Sequence, residues 1–410
     1  MATAEALAGT LFRQEAGRIA AWLARLLGPG RLDLIEDAVQ DAFGAALASW
    51  PLDGIPDRPG AWLTVAARNK ALDRLKYLAK HEPFDESAAG RLGFADPAEL
   101  GRLDDTLALM FVACHPALDP AEQTMLTLKT VCGFDVGEIA RAYLSTAEAV
   151  TQRLVRAKRK IRALGLRFEI PDGAELAERL PALIAALYLL FNGGYTSGSG
   201  EGLMVPEFCA EALRLAEKLT AHRMTASGEA HALAALICFH HARAAARSGP
   251  EGDLILLAHQ DRSLWDRSLI ARGTAHLQAA MEGDVLTPIH LEAAIAAIHA
   301  TAPGYAATDW AALKHFYTML VELKPTPIVR LNAAIACAEA EGAEAGLAHL
   351  DALLEARRLA GYALYHAARG ELLIRLDRRA EAAAAFTAAL ACPANDAERQ
   401  HLARRLAACR

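Results

Sequence analysis

Polar and basic side chains are concentrated between Thr146 and Arg162, at spacings suited to binding chemistry. Residues 146–162 carry six Lys or Arg side chains and one acid, Glu148. Short polar groups at the start of a helix can reach base edges in the major groove, and a basic second half can neutralise phosphates. The candidate DNA-contacting residues are Thr146, Glu148, Ala149, Thr151, Gln152, Arg153, Arg156, Lys158, Arg159 and Lys160. The pattern therefore indicates non-covalent contact with DNA, and a solvated basic face on an ordinary helical hairpin is the alternative.

The elements that must position these side chains are predicted to be a helix, a tight turn and a second helix over Val136 to Arg162. Apolar residues recur three and four positions apart on both sides of the turn, as helices with one buried face require. Ser145 followed by Glu148 fits a capping box, so the second helix is expected to start at Thr146. This is the layout of a helix-turn-helix domain.

An acidic segment lies nearer the N-terminus. Residues 31–57 carry one Arg and six acids. Five of the polar residues lie within a few turns of one predicted helix, namely Asp33, Glu36, Asp37, Gln40 and Asp41. Such a surface suits a basic partner protein, whereas an isolated acidic helix is more often a solvated face.

A basic segment follows, in which residues 61–80 carry five bases and one acid, Asp73. Arg68, Lys70, Arg74 and Lys76 supply charge for phosphates, and Asn69 can hydrogen-bond a base edge. Trp62 could stack on an unpaired base or pack in a core, and both interpretations stay open. The basic segment thus predicts a second nucleic-acid surface.

Three of these segments resemble parts of the bacterial RNA polymerase sigma factors of the extracytoplasmic-function group, in the sigma-70 family. Gly133 to Arg162 resembles region four, Asp33 to Phe43 resembles the core-binding helix of region two, and Ala61 to Asp73 resembles its promoter-melting helix. The segments occur in the order that the family requires, and the resemblance covers about residues 8–165.

The resemblance implies a role for each surface. The acidic helix would bind the clamp helices of the largest subunit of core RNA polymerase, and region four would approach the polymerase flap and read the minus-thirty-five element. The basic helix would recognise and open the minus-ten region, where the predicted loop from Trp50 to Gly60 helps to hold a flipped base. A sigma factor of this kind is a specificity subunit without catalysis of its own.

The predicted fold is all-α, because helical periodicity dominates and alternating β-branched runs are absent from the sequence. The expected divisions are sigma region two over 8–80, an acidic linker over 81–103, sigma region four over 104–167 and a C-terminal helical extension over 170–410. The extension resembles that of one subgroup of these sigma factors, and its glycine-rich stretch from Asn192 to Gly202 lacks the ending of a phosphate-binding P-loop.

The extension contains a cluster of candidate functional residues and, near its end, a repeat-like spacing of small and aromatic residues. A possible functional cluster comprises Asn192, Tyr195, Asp261, Arg262, Trp265 and Asp266, of which the last four form either a buried ion and hydrogen-bond cluster or a ligand pocket. Towards the end, small and aromatic residues such as Gly370, Ala382 and Phe386 are spaced as in tetratricopeptide helical hairpins. An unrelated helical bundle is the alternative for this part.

Composition limits the remaining possibilities. The 410 residues have a net charge of −6, and all of that surplus lies beyond residue 168. Seven scattered cysteines without a CxxC pair indicate a reduced, cytoplasmic protein. Zinc-binding spacings and catalytic motifs are missing from the sequence, so neither a metal nor a cofactor is expected.

A fused regulatory domain could contact a regulatory protein. The rival functions are a helix-turn-helix regulator acting without core polymerase and a helical-repeat scaffold.

Overall fold

A computed structural model of the protein describes residues 4–78, 90–92, 103–143, 145–195, 206–247, 249, 255–353, 359, 361–392 and 396–409. The described part consists of helices and connecting turns, with no β-strand. The predicted all-α fold class is therefore confirmed. The described helices include none that is long and apolar enough to cross a membrane.

The chain divides into two compact units, residues 1–190 and 191–410. The helices of the first unit are α1 (Ala4–Leu27), α2 (Leu32–Asp53), α3 (Pro59–Leu78), α4 (Leu103–Ala113), α5 (Pro120–Leu126), α6 (Val136–Ala142), α7 (Ala147–Leu164) and α8 (Gly173–Tyr195), the end of which belongs to the second unit. A π-helical turn, Thr127–Val131, continues α5. Most of the predicted acidic linker, residues 81–89 and 93–102, lies outside the described residues.

The break between α1 and α2 follows from Gly28, whose φ of 84° is a conformation that glycine adopts readily. Helix α2 continues through Pro51 to Asp53, so only residues 54–58 of the predicted loop from Trp50 to Gly60 are non-helical. Pro51 lies in the last turn, and the neighbouring Trp50 side chain is buried in the unit's core. Core packing of Trp50 thus extends the helix beyond the boundary that the sequence suggests.

Caps define the helices of residues 104–167. The Asp119 carboxylate accepts a hydrogen bond from the Glu122 N–H at 2.8 Å, and Pro120 occupies the first turn, so both residues favour a helix start at this point. The expected start of α7 is wrong by one residue, because its N-cap is Thr146 and not Ser145. Thr146 has the extended backbone of a cap residue, and its Oγ1 accepts a hydrogen bond from the Ala149 N–H at 3.2 Å.

The helices of both sigma-like segments pack into the first unit together. Trp22 of α1 is fully buried, and Arg25 of α1 pairs with Asp105 of α4 at 3.2 Å. Arg91, in the short described part of the linker, donates to the Leu26 carbonyl near the end of α1 at 2.7 Å. The described residues within 8–80 and those within 104–167 therefore form the two halves of one compact unit.

The second unit is a series of consecutive helices that pack mainly against their neighbours along the chain. They are α9 (Pro206–Ala221), α10 (Gly228–Ala242), α11 (Arg267–Ala280), α12 (Pro288–Thr301), α13 (Trp310–Leu323), α14 (Pro327–Glu341), α15 (Ala343–Asp351), α16 (Ala363–Arg375), α17 (Arg379–Leu390) and α18 (Asp396–Ala407). Helix α10 packs against α9, α11 and α12, which explains why most of its side chains are buried. Helices α14 to α17 form two consecutive hairpins that share one apolar core.

Candidate functional site

Helix α7 presents a continuous exposed polar face. Its apolar stripe of Val150, Leu154, Ala157 and Ile161 is buried, as the periodicity predicts. The side chains exposed on the other face include Glu148, Thr151, Gln152, Val155, Arg156, Arg159, Lys160 and Arg162. Val155 was not among the sequence-predicted contacts, although it lies three and four residues from Gln152 and Thr151 and is 46% exposed. An exposed valine among polar residues suits apolar contact with a thymine methyl group.

The first turn of α7 uses several of its polar groups for its own stability. Thr146 caps the helix, and the Thr151 hydroxyl donates to the Ala147 carbonyl at 2.8 Å. Within the described part of the chain, Arg156 and Arg159 form no ion pair. Arg153 is half-buried. Among the predicted DNA-contacting residues, Gln152, Arg156 and Arg159 are therefore exposed and lie outside the ion pairs of the described residues.

The basic end of α7 lies against the acidic start of α2. The Lys158 ammonium is 2.7 Å from a Glu36 carboxylate oxygen and 3.0 Å from Asp33. Arg162 pairs with Asp33 at 3.0 Å and donates to the Gly30 carbonyl at 2.9 Å. The structure thus brings predicted DNA-binding residues into direct contact with predicted polymerase-binding residues.

Burial affects the two members of the central pair differently. Burial raises the pKa of the Glu36 carboxyl, and the attraction of Lys158 opposes that rise without cancelling it. Burial alone would lower the pKa of the Lys158 ammonium, but Glu36 and Asp33 together raise it above its usual value. Lys158 therefore stays protonated, while burial decides the direction of the pKa shift of Glu36.

Other predicted residues of α2 and α3 are distributed between pairing and exposure. Asp37 of α2 pairs with Arg74 of α3 at 2.5 Å, and both side chains are about half exposed. Gln40 and Asp41 are exposed on α2. On α3, Asn69, Lys70 and Lys76 are exposed, and Arg68 is half-buried. The exposed members leave both helices a polar surface for partners.

Trp62 occupies an intermediate position between core and surface. Its ring packs edge-on against Trp50, with centroids 5.6 Å apart, and Trp50 is almost fully buried. Trp62 itself is half-buried. Packing on Trp50 holds the ring in place and leaves part of it open at the start of α3.

The predicted cluster around residues 261–266 makes local and helix-capping contacts. Arg262 donates to the carbonyls of His299 and Ala302 at 2.7 and 2.8 Å, and its guanidinium lies 4.3 Å from the Trp265 ring centroid. These carbonyls belong to the C-terminal end of α12, where a cation is favoured. Arg262 therefore joins the cluster to α12.

The carboxylates of the cluster act as caps. Asp266 accepts hydrogen bonds from Ser268 and Leu269 at the start of α11, and Asp261 accepts one from the Ser263 N–H. Asn192 is half-buried in the second unit, and the Tyr195 side chain lies outside the described residues, as does most of the glycine-rich stretch.

Sequence reasoning did not identify His299 as part of this region. Burial, together with the positive charges of Arg243 and Arg262, lowers the pKa of its imidazole to about 4. The described residues contain no group of three His, Cys, Asp or Glu side chains placed to hold a metal ion.

Comparisons with known proteins match both parts of the chain. Residues 11–81 match sigma-70 region 2, and residues 179–281 match a family of unknown function, DUF6596. An uncharacterized protein of Rhizobium meliloti (strain 1021) is 39% identical over 378 residues, which cover 90% of this chain and 89% of that protein. No solved structure matches.

A further relative is described as a probable ECF RNA polymerase sigma factor, SigI, of Mycobacterium tuberculosis, matched in strains CDC 1551 and H37Rv. It is 33% identical over 138 residues, 32% of this chain, and the match spans 47% of its length. Sigma factors of this kind are non-catalytic specificity subunits of RNA polymerase. The chain therefore contains a sigma-70 region 2 and is similar over about a third of its length to a probable ECF sigma factor, and it belongs to one protein family with the Rhizobium protein, which it matches along nearly its whole length.

Proposed function

We propose that the protein is an extracytoplasmic-function sigma factor that binds core RNA polymerase in the cytoplasm and directs promoter-specific initiation, with a fused helical regulatory domain. One observation carries the proposal. A sigma-70 region 2 over residues 11–81 is followed in the same chain by a helical hairpin whose second helix, α7, exposes a polar and basic face.

Promoter reading is assigned to α7 as a region-four recognition helix. Gln152, Val155 and Arg156 share its accessible face, and Arg159 follows one turn later. This order suits base contact by the first half of the helix and phosphate contact by the second half. The helix-turn-helix assignment rests on this face and on the turn between α6 and α7.

Opening of the minus-ten region is assigned to α3. Asn69 and Lys70 are exposed in the middle of the helix, and Trp62 is partly open at its start. An unpaired base can stack on a tryptophan face, and nearby cations can hold its backbone. Binding of unstacked bases then supplies the free energy for strand separation, without nucleotide hydrolysis.

Core polymerase binding is assigned to the acidic face of α2. Gln40 and Asp41 are exposed there, and Asp37 is about half exposed. An acidic, hydrogen-bonding helix face complements a basic partner surface and speeds association with it.

The fused domain is assigned to a tetratricopeptide-like class, with a role in regulation or protein contact. Its support is the pair of hairpins α14–α15 and α16–α17. A Cβ atom at Gly370 would lie 2.8 Å from the Phe386 ring, so the small residue of one helix is required by the aromatic residue of the next. Gly346 makes a similarly close approach to Ala338 in the preceding hairpin.

The direct test adds purified full-length protein to sigma-free core polymerase and promoter templates. We expect core association and a promoter-specific transcript. Binding to duplex DNA without core association would instead support a helix-turn-helix regulator, and the absence of both would support a scaffold.

One variant and a matched control test whether the acidic face of α2 binds core polymerase. Asp41→Lys should abolish most core association while duplex DNA binding persists, and Asp53→Lys, at the far end of the same helix, is the matched control. Equal loss with both variants would contradict the assignment of the acidic face.

A further inference from the structure

The predicted DNA-binding surface on α7 and the predicted polymerase-binding surface on α2 are in direct contact inside the first unit. Lys158 of α7 lies between the Glu36 and Asp33 carboxylates of α2, and the side chains of Lys158 and Glu36 are each only 12% exposed. Arg162, one turn later, binds Asp33 and the Gly30 carbonyl. The basic end of the recognition helix therefore covers the start of the acidic face.

A backbone approach supports the same arrangement from the other side. Gly17 of α1 is buried against the π-helical turn Thr127–Val131, which precedes the helix-turn-helix segment. A Cβ atom at Gly17 would meet the Val131 carbonyl far inside the 3.0 Å that real Cβ atoms keep. The arrangement of the two halves therefore requires glycine at position 17.

The contact between Lys158 and Glu36 also has an unfavourable contribution to its free energy. One carboxylate oxygen of Glu36, Oε1, is buried and receives no hydrogen bond from any described residue. A buried carboxylate with an unsatisfied oxygen disfavours the state that buries it. The Glu36 carboxylate would regain solvent or a better partner if α7 moved away. The contact between α7 and α2 can therefore be replaced by contact with another partner.

We propose that this closed arrangement is a self-masking state, in which the protein's own recognition helix occupies the first turn of the acidic face that would bind core polymerase. This proposal rests on the proposed function. Polymerase binding through the whole acidic face, and phosphate binding through Lys158 and Arg162, both require α7 to leave α2. The alternative is a permanent packing of the two halves that polymerase accepts as it is.

The decisive variant is Gly17→Ala in the full-length protein, because it removes the closed geometry without altering any residue assigned to binding. Gly44→Ala is the matched control, since Gly44 lies within a neighbouring helix of the same unit and has open space around it. Circular dichroism and thermal melting verify that both variants are folded.

Separation of the halves can be measured directly. All seven native cysteines are buried, so exposed cysteines introduced by Ala48→Cys on α2 and Ala163→Cys on α7 can be labelled selectively. We expect one short inter-label distance in the free wild-type background and in Gly44→Ala. Gly17→Ala should give a longer and broader distribution.

Polymerase binding completes the test. If closed molecules outnumber open ones about ten to one, Gly17→Ala should tighten the apparent core affinity about tenfold, because the competent fraction rises towards one. Core binding by the labelled wild type should also lengthen the inter-label distance.

A charge swap provides an independent variant with distance as its only readout. Lys158→Glu should lengthen the distance by placing a third carboxylate beside Asp33 and Glu36. Combining it with Glu36→Lys should restore the short distance, because the central ion pair is re-formed with reversed polarity.

The outcomes separate the two proposals. A long distance in the free wild type, or an open Gly17→Ala variant with unchanged core affinity, would overturn self-masking and leave the sigma-factor function standing. If no variant binds core polymerase while the distances change as expected, the proposed function fails, and self-masking fails with it.

Discussion

At the scale of single residues, charge on α7 is divided between two uses. Lys158 and Arg162 are paired with α2, and Lys160 pairs with Glu122 of α5 at 2.7 Å. Gln152 in the first half of the helix and Arg156 at its middle remain exposed. Sequence-specific contacts are therefore expected from the first half and general attraction to DNA from the second.

We predict that Gln152→Ala and Arg159→Ala have different effects on DNA binding. Loss of a base contact by Gln152 should cost about 1–3 kcal/mol on a matched promoter duplex and little on a scrambled one. Arg159→Ala should weaken both duplexes equally and reduce the salt dependence of binding. Fluorescence anisotropy at several salt concentrations measures both effects, and equal losses for Gln152→Ala on the two duplexes would reject base reading.

Asp266 gives a residue-scale prediction in the second unit. Asp266→Ala removes the N-cap of α11 and should lower the free energy of unfolding by about 1 kcal/mol. Hydrogen bonds from the side chain of Ser268 and the N–H of Leu269 lower the pKa of Asp266 from its usual 3.8. The stabilisation is therefore complete above that usual value and is lost as the pH falls through the lowered pKa.

Urea unfolding at pH 7 and at acidic pH measures this contribution. Asp284→Ala, an exposed carboxylate in the loop before α12, is the control and should have no effect. A destabilisation by Asp266→Ala that persists unchanged in strong acid would contradict the capping role.

At the scale of elements, helices pack closely where a small residue meets a large one. Gly370 of α16 receives the Phe386 ring of α17, and both belong to the core shared by α14 to α17. This close approach holds the second hairpin together. It also explains why the small and aromatic residues recur at a regular spacing in the sequence.

We predict that Gly370→Ala destabilises the second unit by about 1–3 kcal/mol, because the added methyl group overpacks the contact with Phe386. Gly361→Ala, at a position with open space, is the matched control and should be neutral. Thermal unfolding of the full chain measures the difference. If both variants behave alike, the close packing of the hairpin is not what stabilises it.

At the scale of the whole molecule, α8 begins within the sigma-like unit. Its Arg179 is buried, donates to the Phe111 carbonyl of α4 at 2.7 Å and lies over the Phe111 ring. Leu183, Ile184 and Leu187 of α8 are also buried. The compact units divide after Leu190, whereas the sequence places the start of the extension near residue 170.

We predict that a fragment of residues 1–195 unfolds cooperatively and that a fragment of residues 1–168 is less stable by at least about 3 kcal/mol. The shorter fragment loses a hydrogen bond from a charged donor and several buried leucine and isoleucine side chains. Chemical denaturation followed by circular dichroism compares them. Equal stabilities would show that α8 contributes nothing to the first unit.

Much of the local structure follows from the sequence by itself. Helical periodicity identifies the buried stripe of α7, and Asp119 followed by Pro120 marks the start of α5. The segregation of acidic and basic segments separates the candidate partner surfaces. These features depend on interactions within one or two turns, so the order of residues contains the information that decides them.

Contacts between distant residues were decided only by the tertiary structure. Lys158 and Glu36 are 122 positions apart, and Arg262 caps a helix end 37 positions away. The exposure of Val155 and the closed packing of the two halves also depend on how whole helices meet. Periodicity specifies which face of a helix is apolar, but the choice of partner for that face, and for each charge, is made by the complementary shapes of packed elements.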